Sequence, residues 1–145
     1  MKIVLQRVLS SKVHVKNQEV GSCQMGLCLL VGVEETDTNE TISKMAEKIS
    51  VLRIFEDENG KMNKSILDIN GSILAVSQFT LLADCSRGRR PSFTKAGNPE
   101  KANLLFDQFV QLLRDKNIPT QTGIFGADML VEIKNSGPAT FILES

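Results

Sequence analysis

The chain has 145 residues, of which 41% are hydrophobic, and its 17 basic residues balance its 17 acidic residues. This length fits one domain spanning residues 1–145, and the hydrophobic fraction is sufficient for a core. Zero net charge excludes a general electrostatic attraction to nucleic acid. The longest apolar run, 27–31, is far shorter than the ~20 residues of a membrane-spanning helix, so we expect an unexported, cytoplasmic protein without a membrane partner.

The cysteine and histidine content argues against a disulfide framework and a metal site. Cys23, Cys28 and Cys85 are odd in number and lack C-x-x-C spacing. The first two lie in apolar, strand-like sequence, which is typical of buried thiols. His14 is the only histidine, and no Cys/Asp cluster at ligand spacing accompanies it. We therefore predict no metal and no cofactor.

The first half of the chain predicts strands, a helix and a buried strand. Residues 2–16 alternate apolar and polar side chains, turn at Asn17-Gln18 and resume with 26–33, an antiparallel β pattern. Residues 37–40 resemble a capping box and precede an apolar stripe at helical spacing. Asn59-Gly60 is a turn signal, and 73–79 reads as a buried strand with little alternation.

The segment 82–97 has no apolar period and carries three arginines, Arg87, Arg89 and Arg90. A stretch of this length without secondary structure is usually functional or mobile. The arginines have two interpretations. They belong to a solvated loop, or they contact phosphate, which the guanidinium group binds in a bidentate manner.

The last third predicts a second helix and short strands. Asn98 is the predicted N-cap, Pro99 the first helical residue, and an apolar stripe follows at helical spacing. Strands are then predicted at 129–134 and 139–143, joined by Ser136-Gly137-Pro138. Glycine and proline both disfavour a strand interior, so this corner is either a tight connection or a backbone with a particular role. The order of elements predicts an α+β domain with helices packed on a largely antiparallel, two-layered sheet.

No conventional hydrolase machinery is evident. A triad needs a nucleophile beside a base, and the lone His14 lies in an alternating β stretch. Thr80 lacks the free α-amine that activates N-terminal threonine nucleophiles, so we rank it as a positioning hydroxyl above a nucleophile. The remaining aspartates are isolated, and the acidic clusters lie in turn-like or helix-starting sequence.

Several spaced motifs nevertheless resemble one family. Ser77-Gln78-Phe79-Thr80-Leu81 closes a predicted strand, 135–141 contains the Gly-Pro, and Arg7 lies in the opening strand. Together they closely resemble the bacterial D-aminoacyl-tRNA deacylases, also known as D-tyrosyl-tRNA deacylases. The resemblance runs the whole length of the chain and includes 26–32, 89–93 and 122–129.

The resemblance implies a three-layer β/β/α fold and a homodimer with shared active sites. The implied substrate is the 3′ acceptor end of D-aminoacyl-tRNA, with glycyl-tRNA also cleaved. Because an aminoacyl ester is already activated and carries a vicinal 2′-hydroxyl, the implied catalysis is substrate-assisted. The protein would position the ester and offer the backbone amides of the Phe79-Thr80 turn to the developing oxyanion.

The resemblance also implies residue roles. The residues that would line the pocket for the terminal adenosine and the ester are Ser77, Gln78, Phe79 and Thr80. Met129 would pack beside them. Gly137-Pro138 would form a cis peptide that enters the pocket of the other subunit and excludes L-aminoacyl side chains. Arg7 would brace its carbonyls, whereas Ser136 and Ala139 depart from the commoner Asn-Asp-Gly-Pro-Val-Thr pattern.

Two other functions stay open on the residues alone. One is a non-catalytic RNA-binding module that uses the three arginines and Lys95, although the chain has no Tyr or Trp for base stacking. The other is an esterase for a different activated acyl group. DNA is not a predicted partner.

Overall fold

The fold is described from a computed structural model that covers residues 1–145. Its two helices are α1 (Asn39–Val51) and α2 (Pro99–Asp115). Its strands are β1 (Lys2–Val15), β2 (Gln18–Cys23), β3 (Gly26–Gly32), β4 (Phe55–Glu56), β5 (Met62–Lys64), β6 (Ser72–Ser77), β7 (Thr120–Thr122) and β8 (Leu130–Glu144). The predicted α+β class with two helices is confirmed.

Six strands form one mixed sheet around the long strand β1. β1 is antiparallel to β2, β3 and β8. β6, in contrast, runs parallel to both β3 and β7. The prediction of a largely antiparallel sheet is therefore correct for β1 and wrong for β6. The reason is topological, since α1 and α2 supply the long crossovers that parallel pairing requires.

The sheet curls until it nearly closes like a barrel. Its edge strands β2 and β7 meet where the backbone N–H of Ser22 donates to Gln121 Oε1 at 2.8 Å. Gly21 makes this approach possible, because a Cβ there would lie only 2.4 Å from the carbonyl oxygen of Thr122. The two predicted layers are thus parts of one folded sheet.

The helices cover one face of the sheet. Asn98 caps α2 ahead of Pro99, as predicted. The capping box of α1 joins Thr38 and Thr41, one residue later than the predicted 37–40. Neither helix is long and apolar enough to cross a membrane. The buried residues of the two helices are Ile42, Met45, Ala46, Ile49, Leu105, Phe106, Phe109, Val110 and Leu113. All except Val110 belong to the predicted stripes.

A smaller apolar cluster contains two of the three cysteines. Cys23 and Cys28 pack with Val8, Leu74 and neighbouring strand residues. Desolvation by burial raises the pKa of the Cys23 thiol to about 11 and raises that of Cys28 as well. Both therefore stay protonated at neutral pH, in agreement with the predicted buried thiols.

Two predicted boundaries are wrong. The first hairpin turns at Lys16 and Asn17, one residue earlier than predicted, because both have positive φ angles, 48° and 64°. The C-terminal region holds one long strand, β8, where two strands with a corner were expected. Gly137 and Pro138 lie inside β8 because the strand bulges around them.

Candidate active site

The end of β6 delivers the Ser77–Thr80 motif into a short 3-10 turn, Phe79–Leu82. The backbone N–H of Gln78 still donates to the Val31 carbonyl on β3, at 2.8 Å. The next two N–H groups, those of Phe79 and Thr80, donate no hydrogen bond within the chain. The first N–H groups of a helical turn lack internal partners, so two donors are left free for a ligand.

The Thr80 hydroxyl is held by its own motif. Gln78 Nε2 donates to Thr80 Oγ1 in a short hydrogen bond. No histidine, lysine or carboxylate hydrogen-bonds to this hydroxyl, so no base is placed to activate it. The geometry favours a positioning role for Thr80 over a nucleophilic one.

Two adjoining cavities open beside this turn and share Ser77, Phe79, Phe125 and Gly126 as walls. The larger has a volume of about 460 Å³, and Phe93 completes its aromatic lining. The smaller has a volume of about 330 Å³. Its further lining residues include Gln78, Ala127, Asp128, Met129 and Val131. The structure thus brings Ser77, Gln78, Phe79 and Met129 together, whereas Thr80, which the resemblance also implies as a lining residue, lines neither cavity.

Sequence reasoning missed the aromatic residues opposite the turn. The Phe93 ring packs on the Phe79 ring, with centroids 5.1 Å apart and a tilt of 59°. Phe125 faces both cavities. A usable signal was present: Phe93 and Phe125 are two of only seven aromatic residues, and both lie in loop sequence without an apolar period.

Gly123 makes room for Met129 at the smaller cavity. A Cβ on Gly123 would lie 2.4 Å from Met129 Sδ. Glycine at this position therefore lets the methionine side chain pack along β7 and reach the cavity wall.

Gly137 and Pro138 form a cis peptide on the exposed surface of β8. They line neither cavity. Val131, the nearest lining residue on the same strand, is six positions away from Gly137 along the chain. Within one chain, the predicted gate and the predicted pocket are therefore separate.

Arg7 is the buried support of this segment, with only 6% of the residue exposed. Its Nε donates to the Ser136 carbonyl at 3.3 Å, and its Nη2 donates to the Gly137 carbonyl at 3.5 Å. Nη1 is anchored on the Ile54 carbonyl at 2.8 Å, and Glu56 Oε1 lies 3.5 Å from Nη2. The guanidinium group thus ties the bulge of β8 to the start of the β4–β5 hairpin.

The arginine loop projects beside the larger cavity. Asp84 and Ser92 close it through reciprocal backbone hydrogen bonds of 2.8 and 3.0 Å. Arg87, Arg89 and Arg90 are exposed and form no ion pair. Phe93, which directly follows this loop, lines the larger cavity, so the loop that carries the arginines adjoins that cavity. Nowhere are three or more His, Cys, Asp or Glu side chains grouped to hold a metal ion.

The family model for D-Tyr-tRNA(Tyr) deacylase matches residues 4–144. The chain belongs to this deacylase family. It is similar to proteins named D-aminoacyl-tRNA deacylase in Thermotoga petrophila and Geobacter sulfurreducens. It is 52% identical to each over 145 residues, which cover the whole chain and 97% and 95% of those proteins.

Two solved structures share this fold. The structure named c-Myc DNA Unwinding Element Binding Protein is 40% identical and superposes with a TM-score of 0.94, covering 100% of this chain and 99% of that one. A probable eukaryotic D-amino acid tRNA deacylase has 16% identity and a TM-score of 0.84 over 98% of this chain and 97% of its own. The second likeness shows the shared fold alone.

Proposed function

We propose that this chain hydrolyses the ester bond of D-aminoacyl-tRNA and releases free tRNA and the D-amino acid. The observation that carries the proposal is the pair of unbonded N–H groups at Phe79 and Thr80, beside a two-part cavity and without a neighbouring base. Such donors stabilise an oxyanion, and their geometry is fixed before the substrate arrives. Family membership supplies the substrate class.

The two cavities suit the two parts of an aminoacyl-adenosine terminus. The larger, walled by Phe79, Phe93 and Phe125, takes the terminal adenine, since base stacking on aromatic rings is sequence-tolerant and favourable. The smaller takes the aminoacyl ester, next to Gln78 and Met129. Thr80, held by Gln78, positions the ester or the attacking water.

The reaction needs no protein nucleophile. Water adds to the ester carbonyl carbon, the Phe79 and Thr80 amides stabilise the resulting oxyanion, and the bond to the ribose 3′-oxygen breaks. The vicinal 2′-hydroxyl of the substrate relays the proton lost by the water to the leaving 3′-oxygen. The protein contributes orientation and electrostatic stabilisation.

The selectivity is assigned to Gly137-Pro138 of a second copy, in a homodimer with a β/β/α arrangement in each subunit. Three observations support this assignment. The segment is exposed, it lines neither cavity of its own chain, and a Cβ on Gly137 would meet only Asn135 Oδ1 at 3.8 Å. Nothing within one chain requires glycine there. A backbone inserted into a partner's pocket does require it.

Deacylation of glycyl-, L-alanyl- and D-alanyl-tRNA by the native protein tests the proposed selectivity. A steric gate acts on the L side chain, so the glycyl and D-alanyl substrates are cleaved and the L-alanyl substrate is spared. Cleavage of D-alanyl-tRNA without glycyl-tRNA would mean that the D-methyl group is recognised positively. Cleavage of all three substrates would mean that no steric gate excludes L-aminoacyl groups.

Mixing two impaired variants tests the shared site. Phe79→Ala damages the pocket, and Gly137→Val places a side chain on the gate without an internal clash. After mixed refolding, half of the dimers contain both variants and each of these has one intact site, so about a quarter of native activity returns. Activity no higher than that of the parent variants would place each site within a single chain.

The arginine loop is assigned to tRNA phosphates near the acceptor end. Arg87, Arg89 and Arg90 are exposed, unpaired and attached to the wall of the adenine cavity. Binding of the tRNA should exceed binding of duplex DNA, which lacks the aminoacyl terminus that the cavities hold. The cytoplasm remains the predicted location, where this substrate is formed.

The same assays discriminate the two alternatives. An RNA-binding module would bind tRNA without releasing amino acid. An esterase for another acyl group would cleave small activated esters without requiring the tRNA acceptor end.

A further inference from the structure

The gate sits on an unusually large bulge between β1 and β8. Gln6 pairs with Thr140, but Val8 pairs with Asn135. Two steps along β1 therefore correspond to five steps along β8, so β8 has three residues more than β1 over this stretch. The bulge comprises the four residues 136–139, which include the Gly-Pro and have no partner on β1.

A bulge interrupts the ladder of backbone hydrogen bonds and leaves polar groups without partners. Here the Asn135 side chain supplies hydrogen bonds in place of the interrupted backbone ladder. Its Nδ2 donates to the Arg7 carbonyl on β1 at 3.0 Å and to the Ala139 carbonyl at 3.3 Å. Both protons of the carboxamide are therefore used, one across the strands and one across the neck of the bulge.

We propose that Asn135 is a positioning residue for chiral selection, because its carboxamide fixes the two ends of the bulge that presents Gly137-Pro138. This inference rests on the proposed gate function. Asn135 and Arg7 act on different parts of the bulge. The Arg7 side chain holds the Ser136 and Gly137 carbonyls, whereas Asn135 holds Ala139 and the main chain of Arg7 itself.

Asn135→Asp is the most informative substitution, because it keeps the shape and removes the donors. An ionised carboxylate only accepts hydrogen bonds, so it repels the Arg7 and Ala139 carbonyls. Once protonated, the same carboxyl group donates one hydrogen bond. The defect should therefore diminish as the pH falls towards about 4, near the ordinary pKa of an aspartate side chain.

The measurement is the ratio of D-alanyl-tRNA to L-alanyl-tRNA cleavage at neutral and acidic pH. Asn135→Asp should lower the ratio about tenfold or more at pH 7, because both hydrogen bonds that hold the ends of the bulge are lost. Part of the ratio should return at about pH 4. Asn135→Ala removes the donors without adding charge, and its ratio should be low at both pH values.

Asn17→Asp is the matched control. Asn17 lies at the exposed tip of the β1–β2 hairpin and its side chain forms no hydrogen bond, so it receives the same charge change away from the bulge. Its ratio should match the native value at both pH values.

Two results would overturn the proposal: a native ratio in both Asn135 variants, or a low ratio in Asn135→Asp that does not respond to pH. A purely structural role would lower thermal stability in both variants and leave the ratio unchanged. If the native protein itself does not distinguish D- from L-alanyl-tRNA, the gate function fails, and this failure is visible before any variant is made.

Discussion

The turn at 77–80 and the bulge at 136–139 are positioned in different ways. In the turn, Gln78 Nε2 binds Thr80 Oγ1 two residues away, and the N–H groups of Leu81 and Ala83 bind carbonyls three residues back. In the bulge, two supporting bonds come from Arg7, 129 and 130 residues distant, and Asn135 adds one bond within the segment, to the Ala139 carbonyl. The turn therefore holds its own shape, whereas the bulge also depends on a distant strand.

The two regions also differ in what they leave unused. The turn exposes two N–H donors, and the bulge exposes a Gly-Pro backbone whose glycine is not required by any internal contact. Donors of this kind suit charge development at an ester, and a bare backbone suits steric exclusion. The first region is thus assigned to rate and the second to selectivity. Loosening the support of one region, without adding bulk to it, should therefore leave the property of the other intact.

The largest expected effect concerns rate. D-aminoacyl-tRNA ending in 2′-deoxyadenosine should be cleaved at least about 100-fold more slowly than the ribose substrate, because the proton relay is lost. Thr80→Ala should keep a measurable fraction of activity on the ribose substrate. Single-turnover rates with both substrates check this. Normal cleavage of the 2′-deoxy substrate, or an acyl group trapped on Thr80, would contradict substrate-assisted catalysis.

The next effect concerns selectivity. Arg7→Ala should lower the D-alanyl to L-alanyl ratio at least about tenfold and cost roughly 1–3 kcal/mol of stability, since buried carbonyls lose their donor. Arg7→Lys keeps the charge but not the planar fork, so it should restore only part of the ratio. Chemical unfolding measured alongside activity separates the two effects. A native D-alanyl to L-alanyl ratio in Arg7→Ala would mean that the selectivity of the gate does not depend on Arg7.

A smaller effect is expected at the arginine loop, which should affect tRNA binding and not the D-to-L selectivity. Replacing Arg87, Arg89 and Arg90 by Ala should weaken tRNA binding and flatten its salt dependence, by about 0.7–0.9 in slope for each phosphate that is no longer neutralised. The D-to-L ratio should stay native. Binding titrations at several salt concentrations check this, and an unchanged slope would mean that the arginines are only solvated.

The smallest effect is expected at Glu56. Its carboxylate lies 3.5 Å from Arg7 Nη2, and 58% of its side chain is exposed. Exposed ion pairs contribute about 0.2–1 kcal/mol, so Glu56→Gln should lower the D-to-L ratio by less than about fivefold. Glu58→Gln is the control, because Glu58 pairs with Lys64 on the same hairpin and not with Arg7. Equal D-to-L ratios for the two variants would mean that Arg7 is held in place by the Ile54 carbonyl and not by Glu56.

Local patterns determined much of this protein in advance. The cap Asn98, the apolar faces of both helices and the buried strand β6 follow from periodicity and side-chain chemistry. The cluster of polar side chains at 77–80, at the end of an apolar strand, is also visible in the sequence, and the family resemblance gave it a predicted role in the site. These features depend on residues within a few positions of each other.

Only the tertiary structure decided the remainder. The parallel pairing of β6, the near closure of β2 onto β7 and the approach of Phe93 and Phe125 to Phe79 depend on contacts between distant segments. So does the Asn135 bond to the Arg7 carbonyl, 128 residues away. The hydrophobic pattern of a strand fixes which face is buried but does not specify its neighbour. For this reason the resemblance pointed to Gly-Pro and to Arg7 as its support, whereas the role of Asn135 at the two ends of the bulge emerged only from the fold.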